Sequence, residues 1–279
     1  NDAYPLPRIC RRGGLLFTYN CTIITIYTNS IFILFMPKLL TCLFVLMLAY
    51  PMRADEWKDV YTQIEMSVVE PTFPDRIYVV TDYGASQKAS PRKNQKAINS
   101  AIRRCSKKGG GRVVIPAGEW HTGAITLLNN VNLVVSKGAR LLFSTDTNLY
   151  PLVESRWEGM DLMNYSPLIY AFRQTNVAVT GEGVLDGQAT KNDWWPMCGA
   201  EKYGWTVSTP ESQKYGGRNE LLRMSDEGVP VSQRIFGRGK GMRPQFIQFN
   251  QCENVLIEGV TILNSPFWVV HPLLSKNVT

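Results

Sequence analysis

The side chains with the clearest capacity for chemistry are few and lie far apart in the sequence. His271 is one of only two histidines, and it follows Trp268 by three positions in a run that is typical of a strand. In a regular strand these two side chains would point to opposite faces. Arg243 precedes a proline at the end of a polar stretch and offers a cation suited to a carboxylate. His271, Arg243 and Trp268 are therefore the candidate binding residues.

The acidic residues do not form a recognisable catalytic pair. Asp186 lies in the segment 184–187 and is predicted to be a turn residue that binds its own backbone. Glu158 stands beside Trp157, where it either has a structural role or lines a cleft. Six further acids fall in one polar stretch and are expected to be solvated: Asp193, Glu201, Glu211, Glu220, Asp226 and Glu227. No cluster has metal-ligand spacing, so we predict neither a metal nor a cofactor.

Short β-branched segments must position these residues. Glycine and asparagine separate the segments, which are predicted to be strands at 77–80, 113–116, 124–127, 131–135, 139–143, 177–179, 246–249, 255–257, 260–263 and 268–270. One amphipathic helix is predicted at 94–107, with Cys105 on its apolar face and three glycines at 109–111 as its stop.

The strands belong to a repeat. An Asn-Val pair opens a segment at Asn130, Asn176, Asn254 and Asn277. The last two pairs are 23 residues apart, and the first two are 46 apart, which we interpret as two coils of 23. A period in the twenties with several short strands predicts a solenoid, and the leucine pattern of leucine-rich repeats is missing. We predict a single-stranded parallel β-helix with laddered asparagines and a capping N-terminal helix.

An insertion interrupts the repeat. Asn176 and Asn254 are 78 residues apart, about 55 more than one coil, and the excess falls at about 187–242. This stretch is polar, glycine-rich and aromatic. Insertions in solenoids often project from the binding face, where aromatic side chains suit sugar rings. The alternative is a loop that packs its own aromatic residues as a satellite core.

The first 54 residues have the character of a targeting region. Met36 and Lys38 precede an apolar run at 39–50, so we predict a signal peptide at 36–54, cleaved after Ala54, and upstream sequence at 1–35 that is not part of the folded protein. A membrane anchor at 23–50 is the alternative. A lead-in at 55–76 and the β-helix at 77–279 complete the division. The protein is then secreted or periplasmic.

Charge does not favour nucleic acid as a partner. The formal net charge is +7, but residues 1–54 hold five basic groups and one acid, which leaves only +3 for residues 55–279. This mixed surface is compatible with an anionic polysaccharide and does not require one.

Several short motifs, in order, resemble the polygalacturonase family, glycoside hydrolase family 28. They lie at 81–85, 109–113, 116–118, 122–125, 156–159, 164–170, 181–187 and 264–268, followed by His271 and Pro272. The resemblance covers about 77–279 and implies a right-handed parallel β-helix. It also implies hydrolysis of α-1,4-galacturonosyl bonds with inversion, with pectic polysaccharide or oligogalacturonide as the partner and a monomeric full-length protein.

The same resemblance places the catalytic residues outside this chain. The family's Asn-Thr-Asp, Asp-Asp, Gly-His-Gly and Arg-Ile-Lys motifs are expected beyond Thr279 and do not occur upstream. We therefore predict no catalytic residue here, an incomplete β-helix and an inactive chain. His271, just before the expected catalytic coils, is predicted to line the substrate cleft with Trp268 and Arg243. Two alternatives are a pectate or rhamnogalacturonan lyase of the same architecture and a non-catalytic β-helix that binds polysaccharide.

Overall fold

The computed structural model describes residues 54–208 and 212–279. Residues 62–279 form one compact unit. The predicted upstream segment 1–35 and the predicted signal peptide lie outside the described residues, except for Ala54, the first residue of a helix. Within the described ranges, no helix combines the length and the apolar character needed to cross a membrane.

Two helices occur where none was predicted. Helix α1 (Ala54–Ser67) occupies most of the predicted lead-in, and helix α3 (Arg218–Asp226) lies in the insertion. The sequence of α1 places Trp57, Val60 and Ile64 at helical spacing, which is the signal that could have revealed it. The prediction of a single helix was therefore wrong.

The strands of the three parallel sheets within residues 77–279 form a right-handed parallel β-helix, as predicted. Three parallel sheets run along it, with strand orders β1-β2-β5-β10-β13-β16, β3-β6-β11-β14 and β4-β9-β12-β15. The strands are β1 (Ile77–Val79), β2 (Gly111–Ile115), β3 (Gly118–Thr122), β4 (Ile125–Thr126), β5 (Val131–Val135), β6 (Ala139–Phe143), β7 (Leu152–Trp157), β8 (Met160–Tyr165), β9 (Ile169–Phe172), β10 (Thr175–Thr180), β11 (Val184–Asp186), β12 (Ile247–Asn250), β13 (Glu253–Glu258), β14 (Thr261–Leu263), β15 (Val270–Leu273) and β16 (Lys276–Val278).

The register of the first sheet stacks like residues over one another. Val113 pairs with Leu133, Leu133 with Val179, and Val179 with Ile257. The first three of these side chains are completely buried, because in a strand every second residue faces the interior of the coil. The core is a column of aliphatic residues in which each coil is buried by its neighbours.

The predicted asparagine ladder is present. Asn130, Asn176, Asn254 and Asn277 all have left-handed backbone angles, with φ of 62°, 53°, 56° and 51°. Each side-chain amide donates to the side-chain oxygen of the preceding member, at 3.0, 3.0 and 2.9 Å. Asparagine tolerates this conformation better than most residues, so one residue type meets both the conformational and the hydrogen-bonding demand.

The interpretation of the 46-residue interval as two coils was wrong. Strands β5 and β10 are direct neighbours, with Val131 opposite Val177, so Asn130 and Asn176 lie in adjacent coils. The additional length is an antiparallel hairpin formed by β7 and β8, which leaves the coil and returns to it. One coil that carries an insertion and two coils of 23 residues both separate the turn asparagines by 46 residues, so the sequence interval alone does not distinguish them.

Helix α2 (Pro91–Lys107) covers the first coil. Its apolar face, including Ile98, Ile102 and Cys105, is completely buried, and it contacts strands of all three sheets. The predicted burial of Cys105 is confirmed. The helix stops where Gly109 and Gly110 adopt φ of 88° and 102°, which glycine reaches without steric cost.

The insertion between β11 and β12 packs against the β7–β8 hairpin. A second hydrophobic cluster joins the two, formed by Trp157, Leu162, Leu221, Phe236 and Met242. Other aromatic residues of the insertion remain accessible, and the side chains of Tyr203 and Tyr215 are exposed. The insertion therefore has a satellite core as well as an aromatic surface.

Candidate functional site

A stack of three aromatic rings forms the base of the candidate site. Phe267 and Trp268, in the turn between β14 and β15, lie with ring centroids 5.0 Å apart and planes 11° apart. The ring of Phe267 also stacks with Trp157, at 5.6 Å and 10°. Trp157 is completely buried, whereas Trp268 is 41% exposed. The stack therefore connects the satellite core to an accessible indole.

Arg243 lies over this stack. Its guanidinium carbon is 4.9 Å from the ring centroid of Phe267, its Nη1 donates to the carbonyl oxygen of Pro266 at 3.0 Å, and its Nε and Nη2 both donate to Oε1 of Gln213 at 3.2 Å. These acceptors are all neutral. Among residues 54–208 and 212–279, no acid forms an ion pair with Arg243. Burial lowers the pKa of Arg243, against smaller opposing effects of Cys198, Tyr203 and Glu158, so the charged guanidinium is partly desolvated and has no ion-pair partner among the described acids.

A cavity of about 410 Å³ opens beside the guanidinium. The insertion supplies one wall and the β14–β15 turn supplies the other; the lining residues are Trp195, Cys198, Tyr203, Arg243, Ser265, Pro266, Phe267 and Trp268. The indole nitrogen of Trp195 donates to the carbonyl oxygen of Ser265 at 2.9 Å, which ties the two walls together. The hydroxyl of Ser265 is buried and has no hydrogen-bond partner within the described residues. The cavity thus combines aromatic walls with a cation and a spare hydroxyl.

His271 lies next to the stack, on strand β15. Its imidazole contacts Trp268 edge-to-face, with centroids 4.8 Å apart and planes 83° apart. The rule for a regular strand does not apply to this pair, because β15 begins only at Val270 and Trp268 belongs to the preceding turn. The predicted strand at 268–270 starts two residues too early for the same reason.

A buried hydrogen-bond chain orients His271. Gln248 lies opposite His271 in the parallel register of β12 and β15, and its amide nitrogen is 2.9 Å from Nδ1 of His271. The hydroxyl of Ser155 donates to Oε1 of Gln248 at 3.0 Å. Since the Gln248 amide nitrogen can only donate, Nδ1 is the acceptor and Nε2 carries the proton of the neutral ring. Burial, followed by the charge of Arg156, lowers the pKa of His271 and favours this neutral form.

The structure brings the three predicted binding residues together. Arg243 and Trp268 both contact Phe267 and line the same cavity, and His271 contacts Trp268. Their role in binding stays a prediction. Phe267, Gln248 and Ser155 also contribute to the site and were not among the predicted binding residues. For Gln248, a polar side chain between Ile247 and Phe249 in a buried strand was the signal available.

Asp186 and Glu158 are held by structural partners. Asp186 accepts hydrogen bonds from Arg140 at 2.6 Å, from Asn264 at 2.9 Å and from the backbone of Gln188 at 2.9 Å. Burial alone raises the pKa of Asp186, but these hydrogen bonds outweigh it and hold the pKa below its usual value. Its predicted bond to its own backbone is confirmed, although the residue ends strand β11. Glu158 pairs with Arg218 at 3.2 Å.

Among residues 54–208 and 212–279, no acidic residue lines the cavity. The described part of the chain also contains no group of three or more His, Cys, Asp or Glu side chains arranged to hold a metal ion. The site as described is therefore suited to binding an anion through Arg243, with apolar contacts from the rings around it.

Comparisons with known proteins identify relatives of one kind. The chain is 29% identical over 194 residues to a probable polygalacturonase of Vitis vinifera, a match that covers 66% of this chain and 32% of the relative. It is 28% identical over 227 residues to an exo-poly-α-D-galacturonosidase of Dickeya chrysanthemi, which covers 73% and 35% of the two chains. No family model matches the chain.

Solved structures agree with these relatives. The hyperthermoactive exopolygalacturonase of Thermotoga maritima matches with a TM-score of 0.74 and 42% identity, covering 79% of this chain and 49% of that chain. The family 28 exopolygalacturonase of Yersinia enterocolitica matches with a TM-score of 0.51 and 25% identity, covering 73% and 38%. The chain spans about a third of the length of the curated relatives it matches and about half of the Thermotoga structure.

Proposed function

The chain is a relative of the polygalacturonase family, and from this relationship we propose that it belongs to a glycoside hydrolase that cleaves the galacturonosyl bonds of pectin. Pectic polysaccharide or an oligogalacturonide is the proposed partner. Within this protein, the proposed role of the Arg243 cavity is to bind the carboxylate of one galacturonosyl unit.

The observation that supports this role is the state of Arg243. Its guanidinium is partly desolvated, held in place by neutral acceptors and not paired with any described acid. A carboxylate in the cavity would supply the missing counter-charge through charge-assisted hydrogen bonds, which are about twice as strong as neutral ones. Trp195, Tyr203 and Trp268 offer flat apolar surfaces to the C–H faces of a sugar ring.

We expect the 279-residue chain to bind without hydrolysing. Inverting hydrolysis needs a protonated carboxyl group and an opposed carboxylate, roughly 6.5–9.5 Å apart. The described residues that line the cavity include no acid. The assay is release of reducing ends from polygalacturonate, and turnover by the purified chain would contradict the expectation.

The binding role can be tested with trigalacturonate. Arg243→Gln should weaken its binding about tenfold or more, because a charge-assisted contact is lost, and Arg243→Lys should restore part of the affinity. Titration calorimetry is the measurement. Trigalactose, which has no carboxylates, should bind the original protein and Arg243→Gln equally weakly.

Arg238→Gln is the matched control, since Arg238 is exposed and does not line the cavity. It should leave trigalacturonate affinity within about twofold of the original, as expected for a surface charge outside the site. Thermal unfolding of each variant separates loss of binding from loss of folding. Equal affinity of the original protein and a folded Arg243→Gln variant would refute the role of Arg243.

We also propose that the protein is secreted or periplasmic. The support is the sequence around Met36, where a lysine precedes the apolar run at 39–50. Expression of the full chain in a secreting host and N-terminal sequencing of the exported protein test this. A mature protein that begins at Asp55 supports the proposal, and retention of the run in the membrane contradicts it.

The last part of the proposal is that the full-length protein is monomeric. A β-helix buries its apolar column between its own coils, so a complete one needs no second copy to form its core. Sedimentation of the full-length protein is the test, and a stable dimer at micromolar concentration would refute it.

A further inference from the structure

Helix α2 and the residue after it carry an unusual charge. Residues 91–108 contain seven basic side chains and no acid: Arg92, Lys93, Lys96, Arg103, Arg104, Lys107 and Lys108. Residues 55–279 hold 25 basic and 22 acidic groups, so without this segment they hold 18 and 22. The helix therefore accounts for the whole positive excess of residues 55–279.

These seven side chains are exposed, and none of them forms an ion pair with an acid of residues 54–208 or 212–279. The ion pairs found in the described ranges use other basic residues, namely Arg112, Lys137, Arg140, Arg156, Arg218, Arg223 and Lys240. The basic face of α2 is thus available to an external anion.

The fold fixes the direction of this face. Ile98, Ala101 and Ile102 are completely buried against the first coil. At one edge of the helix, the amide of Gln95 donates to the carbonyl oxygen of Leu149 at 2.7 Å. The helix cannot rotate without breaking these contacts, so the opposite side, with Lys93, Lys96 and Arg103, always faces outward.

Two shallow concavities flank Lys96 and Arg103, one on each side, and these two side chains line both concavities. One, of about 410 Å³, is bounded by Gln95, Asn99 and the edge of strand β4; the other, of about 550 Å³, is bounded by Lys93, Ser100 and Tyr83. The two cations are seven residues apart, or about 10 Å along the helix axis. This geometry suits an extended polymer that carries repeated negative charges.

The capping role of α2 does not explain the charge. A terminal cap needs a polar outer face, and side chains of either sign provide one. The first turn of a helix favours acids, because its free N–H groups carry partial positive charge, yet Arg92 and Lys93 lie there and no acid does. The basic residues at this end oppose local helix stability, which indicates a role in binding.

We propose that the outward face of α2 binds a strand of anionic polysaccharide, at a surface separate from the Arg243 cavity. That the strand is a polyuronate rests on the proposed function. Single-stranded nucleic acid is disfavoured, because its binding relies on exposed aromatic platforms. Among the lining residues that the structure describes, Tyr83 is the one aromatic ring in the two concavities, and it is half-buried.

The test compares two triple variants of the 279-residue chain with the same net charge. One replaces Lys93, Lys96 and Arg103 with glutamine, and the control replaces Lys137, Lys191 and Arg238, which are exposed elsewhere. Binding to fluorescently labelled long-chain polygalacturonate is measured by anisotropy at several salt concentrations. The α2 triple should lose about tenfold in affinity at low salt and most of its salt dependence, while the control stays within about twofold.

Three outcomes would overturn the proposal. The first is an equal loss of affinity in both triple variants, and the second is no loss of affinity in the α2 triple variant. The third is tighter binding of a single-stranded oligonucleotide than of polygalacturonate. A separate readout isolates the proposed function: trigalacturonate binding should depend on Arg243 and not on the α2 triple. Arg243→Gln should keep the salt-dependent binding of the long polymer, so either idea can fail without the other.

Discussion

Replacing Asn176 with alanine tests how the turn asparagines hold the coils in register. Asn176 is the second member of the ladder: it donates to Asn130 and accepts from Asn254, both at 3.0 Å. Its backbone is left-handed, with φ of 53°. Alanine therefore removes two side-chain hydrogen bonds and retains an unfavourable backbone conformation.

The magnitude follows from these two terms. Each partly buried amide hydrogen bond contributes about 1 kcal/mol. A left-handed alanine costs about 1 kcal/mol more than asparagine or glycine. Asn176→Ala should then lower the free energy of unfolding by about 3 kcal/mol. Asn176→Gly loses the same hydrogen bonds without the backbone cost and should lower it by about 2 kcal/mol.

Urea unfolding of the 279-residue chain, followed by tryptophan fluorescence, is the assay. Asn192→Ala is the control, because Asn192 is an exposed loop residue, and its effect should stay within about 0.5 kcal/mol. The dependence of the free energy on urea should be the same for all variants. The reasoning is refuted if Asn176→Ala matches the control, or if glycine is worse than alanine at this position.

Three further predictions concern the frame of the β-helix and the site. Gly181→Ala should destabilise the fold by about 3 kcal/mol, because φ is 113° and the new methyl would overlap the Val135 carbonyl oxygen. Gly228→Ala, with φ of 67° and open space, should cost only about 1 kcal/mol in the same urea unfolding series. The pKa of His271 is lowered in the folded protein, so the unfolded chain binds a proton at this residue more readily. The contribution of His271 to stability should be complete above about pH 6.5 and decrease below it. His271→Gln should reduce this decrease of the free energy of unfolding, measured by urea titrations between about pH 5 and 7.5. Asp186→Asn should cost about 2 kcal/mol at pH 7. The cost should begin to shrink below about pH 3.9, where the unfolded carboxyl takes up a proton, and should be lost as the pH falls through the lower pKa of the native carboxylate; a constant cost would contradict the assigned ion pair.

The β-helix could be predicted from the sequence because its turn residues meet a local backbone requirement that is the same in every coil. An asparagine at a left-handed turn has the same requirement in every coil, so Asn130, Asn176, Asn254 and Asn277 recur as a visible pattern. The β7–β8 hairpin has no such pattern. Its turn, Glu158 and Gly159, has φ of 45° and 92°, but it lacks the Asn-Gly or Asp-Gly pair that usually marks a two-residue turn.

The candidate site was predictable only in part, for a geometrical reason. Trp268, His271 and Arg243 were each identified by residue type, but their association depends on Phe267, which contacts two of them. The boundary of β15 decides whether Trp268 and His271 share a side, and a shift of two residues at a strand end is enough to reverse the answer. The partner of His271, Gln248, lies one coil away and could be found only from the register.

The residues of the site come from two different parts of the fold, the stacked strands and the insertion, and this explains how such a fold could change its ligand without losing its core. His271 and Gln248 lie on stacked strands, so their separation is fixed by the backbone hydrogen bonds of the sheet. Trp195 and Tyr203 come instead from the insertion, where Trp195 packs against the main core and Tyr203 is exposed. Changes at Tyr203 can therefore reshape one wall of the cavity at little cost to the coils, whereas changes in the ladder must disturb every coil that stacks on it.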